Sequence, residues 1–321
     1  MLYLGVDLGG TNIAIGLVNE QGAILHQDSC PTGANRPFAD IISDMGALAL
    51  RVVAESGHSM EEVASVGIGS PGAADMKSGV VIFANNLNWR NVDVRGELSK
   101  YLDKPIFVDN DANVAALAEL YAGVAQGKDS VILLTLGTGV GGGIVLNRRV
   151  WGGRHNVGGE IGHMIVETAD GEPCSCGNDG CWERYTSATA LIREGRKAVL
   201  EYPASMIYTM ADGDPDQVTA KVVLDAAKAG DFIGERIFRK FIHYLALGIV
   251  SLINILDPDV IALGGGVSKA GDFLLSALLP EVQEHIFYKD LPSADILLSQ
   301  LGNDAGIIGA AMMARQMVEE Q

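Results

Sequence analysis

Basic side chains are in short supply. Lys and Arg number 23 against 40 Asp and Glu, a formal charge of −17, and such a surface opposes nonspecific nucleic-acid binding, which needs a basic face for phosphate contacts. An anionic ligand must therefore be held by local backbone amides, a few cations or Mg²⁺, not by the overall field. Cysteine is scarce as well, at four residues. Cys30 stands alone, while Cys174, Cys176 and Cys181 crowd one short stretch, which does not read as a disulfide framework. No run resembles a transmembrane span of roughly 18 apolar residues. Met1 leads almost directly into a strand, without the basic and apolar regions of a signal peptide. No low-complexity linker breaks the chain. These absences point away from nucleic-acid and membrane partners and towards the cytoplasm.

What is present, 321 residues at 48% hydrophobic content, suffices for one large core or two moderate ones, and two is the expectation. Asp7-Leu8-Gly9-Gly10-Thr11-Asn12-Ile13-Ala14-Ile15-Gly16-Leu17 is echoed by Thr135-Leu136-Gly137-Thr138-Gly139-Val140-Gly141-Gly142-Gly143-Ile144-Val145. Each copy leaves an apolar strand, makes a Gly/Thr turn and returns through another strand. Glycine reaches φ > 0 freely and carries no Cβ, so backbone N–H groups can approach an anion, and a threonine hydroxyl adds a donor. Two ordinary hairpins would share this pattern. Two matching phosphate hairpins, one per half, predict instead a nucleotide held between two lobes.

Periodicity places strands at 2–7, 13–18, 23–28, 63–69, 80–83 and 106–108, with a helix through Phe38, Ile41, Met45 and Val52 and a short one at 94–102. A Ser70-Pro71-Gly72 turn follows the fourth strand. Further strands are expected at 131–136, 142–146, 149–151, 260–263 and 296–298. Helices are expected at 186–200, 219–229, 232–256, ending at Asp257-Pro258, then 271–287 and 304–319. The reading is a two-lobed α/β protein with a small domain at 1–110, completed by the C-terminal helix 304–321, and a large domain at 111–303.

Two constellations carry chemistry. Strand 106–108 ends in Asp109-Asn110-Asp111 before an amphipathic helix, so polar side chains arrive at the carboxyl end of a strand, where open α/β sheets bind ligands. A carboxylate there suits proton abstraction from a sugar hydroxyl, and helix capping by Asp109 or Asp111 is the competing role. The second lies at 160–183. His163, Cys174, Cys176 and Cys181 are the complement of a closed tetrahedral Zn²⁺ site, which with four protein ligands would be structural. Buried reduced cysteines or a redox pair would use the same residues. Glu160 and Glu183 could accept from sugar hydroxyls, or be solvated charges. Gly264-Gly265-Gly266 fits an adenosine-facing loop, and Trp89 either stacks on a sugar or packs in the core.

Taken together, Asp7-Leu8-Gly9-Gly10-Thr11, Asp109-Asn110-Asp111, the glycine hairpin at 136–143, Gly159-Glu160-Ile161-Gly162-His163, the Cys174–Glu183 segment and Gly264–Val267 resemble the ROK family of sugar kinases over essentially the whole chain. The resemblance implies the actin-like, hexokinase-like (ribonuclease H-like) ATPase fold. It implies Asp111 as catalytic base, with Gly72, Asn110, Asp111, Glu160, His163 and Glu183 at the sugar. It places ATP on Asp7, Gly9, Gly10, Thr11, Asn12, Gly137, Thr138, Gly139, Gly265 and Gly266, with Mg²⁺ as cofactor. It also implies structural Zn²⁺ on His163, Cys174, Cys176 and Cys181, and a homodimer or higher oligomer. Family repressors carry an added helix-turn-helix segment, so the expectation is an enzyme. Within the family the Asn86–Trp89 stretch is similar to that of the glucokinases, which implies glucose as acceptor. N-acetylglucosamine, N-acetylmannosamine, fructose and allose are the alternatives.

Overall fold

Glycines decide what can lie on the N-terminal sheet. In the computed structural model, which describes residues 1–320, a Cβ on Gly67 would stand 1.8 Å from the carbonyl oxygen of Ala310, and one on Gly309 would stand 1.6 Å from that of Val114. The C-terminal helix α10 (Asp304–Glu319) therefore lies directly against strand β4 (Val63–Ser70) on one side and helix α3 (Asp111–Tyr121) on the other. Its face of Ile307, Ile308, Ala310, Ala311 and Met312 is buried there.

The chain divides into two compact units. The first comprises Met1–Leu133, Gly143–Gly159 and the chain from Gln300 onward; the second comprises Leu134–Gly142 and Glu160–Ser299. Helix 304–319 thus belongs with the first unit, as do α3 and residues 143–159, which lie beyond the boundary at 110 drawn from the sequence.

The first unit is built on a five-stranded sheet ordered β3-β2-β1-β4-β8, with β1 Leu2–Leu8, β2 Asn12–Asn19, β3 Ile24–Pro31 and β8 Ile106–Asn110. β1, β2 and β3 pair antiparallel, whereas β4 and β8 run parallel to β1. The register matters for chemistry. Asp7 pairs with Gly69 and Gly69 with Asp109, so the two aspartates share one row at the carboxyl ends of three parallel strands. Helix α1 (Phe38–Glu55) turns Ile41, Ile42, Met45, Ala49, Val52 and Val53 into the core at the 3.6-residue period that its sequence announces.

A small antiparallel sheet, β5 (Ala73–Asp75), β6 (Val80–Ala84) and β7 (Trp89–Asp93), follows β4 and leads into helix α2 (Val94–Leu98). Strands β5 and β7 are too short and too polar to announce themselves by alternation. Trp89 opens β7 at 4% exposure within the core cluster, so of its two readings packing prevails.

The second five-stranded sheet is ordered β11-β10-β9-β12-β13: β9 Val131–Leu136, β10 Val140–Leu146, β11 Arg149–Val150, β12 Val260–Gly264 and β13 Asp295–Leu298. Its order repeats that of the first sheet strand for strand. The echo between the two glycine hairpins is thus the trace of a repeated fold.

Helices α4 (Glu183–Thr186), α5 (Ala188–Glu201), α6 (Met206–Met210), α7 (Ala220–Lys228), α8 (Phe232–Leu256) and α9 (Asp272–His285) complete the second unit. One expectation fails here. By length and composition α8 does pass as a membrane span, with mean hydropathy 1.4 over a window that is half buried. A helix enclosed by others satisfies the same criterion, and α8 packs against α4, α5, α7 and α9.

Candidate functional site

Within the first unit, the row set by the sheet register holds Asp7 and Asp109, and Asp111 follows two residues beyond at the start of α3. Asp7 ends β1 beside the hairpin 9–11, where the N–H of Gly9 donates to the carbonyl of Asn12 at 2.9 Å. Burial, with the nearby charge of Asp111, pushes the Asp7 carboxyl up to about 6. Asp111 is the first residue of α3, exposed, and its Oδ1 accepts from the N–H of Ala112 at 2.8 Å. The position suits an anion, because the first turn of a helix presents unpaired N–H groups and the positive end of its dipole.

Neither Asp109 nor Asp111 is the helix cap. Asn110 is: its Oδ1 accepts from the N–H groups of Ala112 at 2.8 Å and Asn113 at 3.3 Å. Its Nδ2 donates to the carbonyl of Gly72 at 2.8 Å, which leaves one amide hydrogen of Asn110 for a ligand. Gly72 holds the other side of that contact in left-handed backbone, φ 80°, where a Cβ would meet the Phe83 carbonyl oxygen at 2.0 Å. Asp109 is fully buried, and burial raises its pKa against three amide donors that lower it.

In the second unit, the hairpin 137–139 is tied from behind. Ala188 N–H donates to the carbonyl of Gly137 at 2.8 Å and Thr189 Oγ1 to that of Thr138 at 2.6 Å. A Cβ on Gly137 would meet nothing within 4 Å, so this side of the turn is open, whereas one on Gly139 would stand 2.5 Å from Oε2 of Glu183. Glu183 is drawn to the hairpin and the cysteine cluster together: Oε2 accepts from the Val140 N–H at 3.4 Å and Oε1 from Cys174 Sγ at 3.2 Å. Gly265 lies over Leu136 at φ 86°, bringing the glycine run after β12 against the strand that feeds the second hairpin. The positive φ expected of the hairpin glycines is not found. None of Gly9, Gly10, Gly137 and Gly139 has positive φ; at these turns glycine serves by its missing Cβ, and the left-handed positions are Gly72 and Gly265.

The side-chain donors of His163, Cys174, Cys176 and Cys181 all lie within 4.8 Å of one another. Cys174 Sγ is 3.6 Å from His163 Nδ1 and Cys176 Sγ is 3.5 Å from Cys181 Sγ. Tetrahedral bonds of about 2.3 Å to sulfur and about 2.0 Å to nitrogen would place neighbouring ligands roughly 3.5–3.8 Å apart, so these spacings fit. The N–H of Asn178 brings the Cys176 thiol down to about 7, while burial pushes that of Cys181 up to about 12. Trp182 anchors the segment, fully buried, with Nε1 donating to the Tyr244 carbonyl at 2.7 Å. Glu160 is exposed immediately before the turn at Ile161–His163.

Sequence reasoning overlooked Asn156. Its Nδ2 donates to Asp109 Oδ1 at 3.1 Å and to the Ala74 carbonyl at 2.8 Å. An asparagine among glycines reads as loop punctuation, and nothing local distinguishes this one.

The whole chain can be placed among known proteins. The family model described as "ROK family" matches residues 3–317. A glucokinase of Thermotoga maritima is 38% identical over 316 residues, 98% of each chain. Among solved structures, a ROK hexokinase from Thermus thermophilus superposes with a TM-score of 0.86 at 32% identity, covering all of both chains. A ROK family glucokinase from Streptomyces griseus, in complex with glucose and AMPPNP, gives 0.78 at 37% identity over 98% of this chain and 100% of that one. Two glycine hairpins on repeated sheets, the aspartate row and the Cys₃His cluster are therefore parts of a hexokinase-like fold, and the chain belongs to the ROK family.

Proposed function

We infer that this protein transfers the γ-phosphoryl group of ATP to glucose, giving glucose 6-phosphate and ADP. The observation that carries the reading is full-length likeness, at 37–38% identity, to glucokinases, one of them holding glucose and an ATP analogue.

Asp111 is the general base in this reading. Its carboxylate takes the proton of the C6 hydroxyl as that oxygen attacks the γ-phosphorus, and general-base help is worth roughly 10²–10⁴-fold. Asn110 fixes the strand-to-helix junction that aims Asp111 and offers its remaining amide hydrogen to the sugar. Most of the acceleration comes from positioning and charge stabilisation. The N–H groups of Gly9, Gly10 and Thr11 and of Gly137, Thr138 and Gly139 are the donors for ATP phosphates, Asn12 supports the first turn, and Gly265 and Gly266 face the nucleoside. Asp7 cannot bind phosphate directly, since like charges repel. Asp7 and Asp111 are close enough for one to raise the pKa of the other, so they are the groups that would face a Mg²⁺ brought with ATP. That ion supplies the positive charge which two carboxylates and a triphosphate together lack.

The Cys₃His cluster fits Zn²⁺, which with four protein ligands is structural. His163 turns Nδ1 towards Cys174, which leaves Nε2 for a sugar hydroxyl. One residue can thereby serve metal and substrate. Glu160 and Glu183 complete the hydroxyl contacts, polar groups that a ligand lacking matching hydroxyls would leave unpaired. We assign the reaction to the cytoplasm and the protein to a homodimer.

A coupled ADP-release assay over glucose, 6-deoxyglucose, fructose, allose, N-acetylglucosamine and N-acetylmannosamine tests the reading. Glucose should give the highest kcat/KM and 6-deoxyglucose no turnover. A clearly better acetamido sugar would move the substrate while keeping the chemistry, and ADP release independent of sugar would remove the kinase reading altogether.

A further inference from the structure

Asp109 stands two residues before Asp111, completely buried at the end of β8. Its partners are all amides. Oδ1 accepts from the Asn110 N–H at 2.7 Å, from Asn113 Nδ2 at 3.1 Å and from Asn156 Nδ2 at 3.1 Å. Two of these donors are local, whereas Asn156 lies far along the chain, in the turns after β11 that run directly into Glu160. The same Nδ2 of Asn156 reaches the Ala74 carbonyl in β5 at 2.8 Å. One carboxamide thus clips this segment to two strands of the first unit.

Little else holds the segment. It contains no strand or helix; Gly152, Gly153, Gly158 and Gly159 loosen it, and Arg154, His155 and Val157 are exposed. A bond from the Gly158 N–H to the Gly152 carbonyl, 2.8 Å, closes the loop on itself. Among the described residues its side-chain hydrogen bonds are those of Asn156 alone. Asn156 makes them from left-handed backbone, φ 56°, which asparagine tolerates better than most residues. A bond to a buried carboxyl is shielded from competing water and is correspondingly strong.

We propose that Asp109 and Asn156 are a positioning pair for the kinase reaction: one partly buried hydrogen bond ties the chain entering Glu160 to the strand end that presents Asp111. Neither residue touches the reacting atoms. The proposal rests on the reading of Asp111 as base and Glu160 as sugar contact.

Trypsin cleavage after the exposed Arg154 and steady-state kinetics test it together on Asn156→Ala, Asp109→Ala, the double variant and Asp109→Asn, with His155→Gly as control for loop freedom. Asn156→Ala should speed cleavage at Arg154 about tenfold and raise the glucose KM roughly tenfold, with kcat and the ATP KM changed less than about threefold. The double variant should fall clearly short of the product of the two single effects, because the pair shares one interaction, although Asn156 also holds the Ala74 carbonyl. Asp109→Asn keeps an acceptor at Oδ1 and should restore near-wild-type values, and His155→Gly should leave the glucose KM unchanged. Unchanged cleavage and KM in Asn156→Ala, or effects that multiply in the double variant, would overturn the pair. So would a loss of kcat at constant KM. Should Asp109→Ala fail to fold, Asn156→Ala in the exposed loop still decides. Wild-type protein inactive on glucose would refute the functional reading instead, while the cleavage rates continued to report on the pair.

Discussion

Asp111, the proposed base, is exposed, whereas Asp7 beside it is largely shielded from water. Asp111→Asn keeps shape and hydrogen bonding but removes the proposed base, so kcat should fall roughly 10²-fold or more with little change in glucose affinity; near-normal turnover in a folded variant would move the role elsewhere. Asp7 is held at about 6, above the ordinary 3.8, by burial and by the Asp111 charge. A carboxyl whose folded pKa is raised stabilises the protein at low pH and loses that contribution as pH rises through the folded value. Asp7→Asn, never ionised, should therefore unfold at a higher temperature than wild type at pH 7.5 without nucleotide, by roughly 1–3 kcal/mol of stability. The gap should close as pH falls from about 6 towards 3.8. A gap that stays constant with pH would show that Asp7 is not the titrating group. The sequence placed both aspartates at strand ends, because apolar runs that stop in Asp are visible locally. Capping, weighed there as the competing role of Asp109 or Asp111, falls to Asn110 instead, because which of three consecutive polar residues turns back onto the helix depends on the φ/ψ of the junction and on Gly72, distant in sequence.

At the scale of elements, two devices hold the sites in place. One is the close docking of α10 on β4 through Gly67. Gly67→Ala would thrust a methyl group into the Ala310 carbonyl, 1.8 Å from the added carbon. Backbone cannot yield there as a side chain would, so the expected cost is about 3 kcal/mol, read as a lower denaturant midpoint. A loss below about 1 kcal/mol would mean that the helix shifts freely. The other device is the cysteine segment. Its proposed zinc joins His163 to Cys174, Cys176 and Cys181, and Cys174 touches Glu183. Chelation should release one zinc per chain and raise the glucose KM before global unfolding, because the proposed ligands and the proposed sugar contacts share one segment. Protein purified without chelator and found free of zinc by elemental analysis would sink the assignment. The main strands and helices were legible from their periods. β5, β7 and α6 were not, since elements of three to five residues are shorter than one reliable repeat of either pattern.

At the scale of the molecule, the second unit leaves Phe287, Tyr288 and Leu291, which line one surface hollow, between 60% and 75% exposed. Grouped apolar side chains of this kind mark association surfaces, and symmetric dimers are the default oligomer. Sedimentation at micromolar concentration should give twice the 33.8 kDa chain mass; a monomer alone would contradict the dimer. The linear chain announces the α/β class, the doubled glycine hairpin, the four residues of the Cys₃His set and the aspartate at the strand end. Each is written in contiguous residues or a repeating period, where local sterics and hydrophobic pattern act. The folded structure was needed to show that α3 and residues 143–159 join the first unit, that Asp7 and Asp109 share a row through Gly69 and that Asn156 reaches a buried carboxyl. Those contacts depend on strand register and on the close approach of distant backbone, and neither leaves a local mark in the chain.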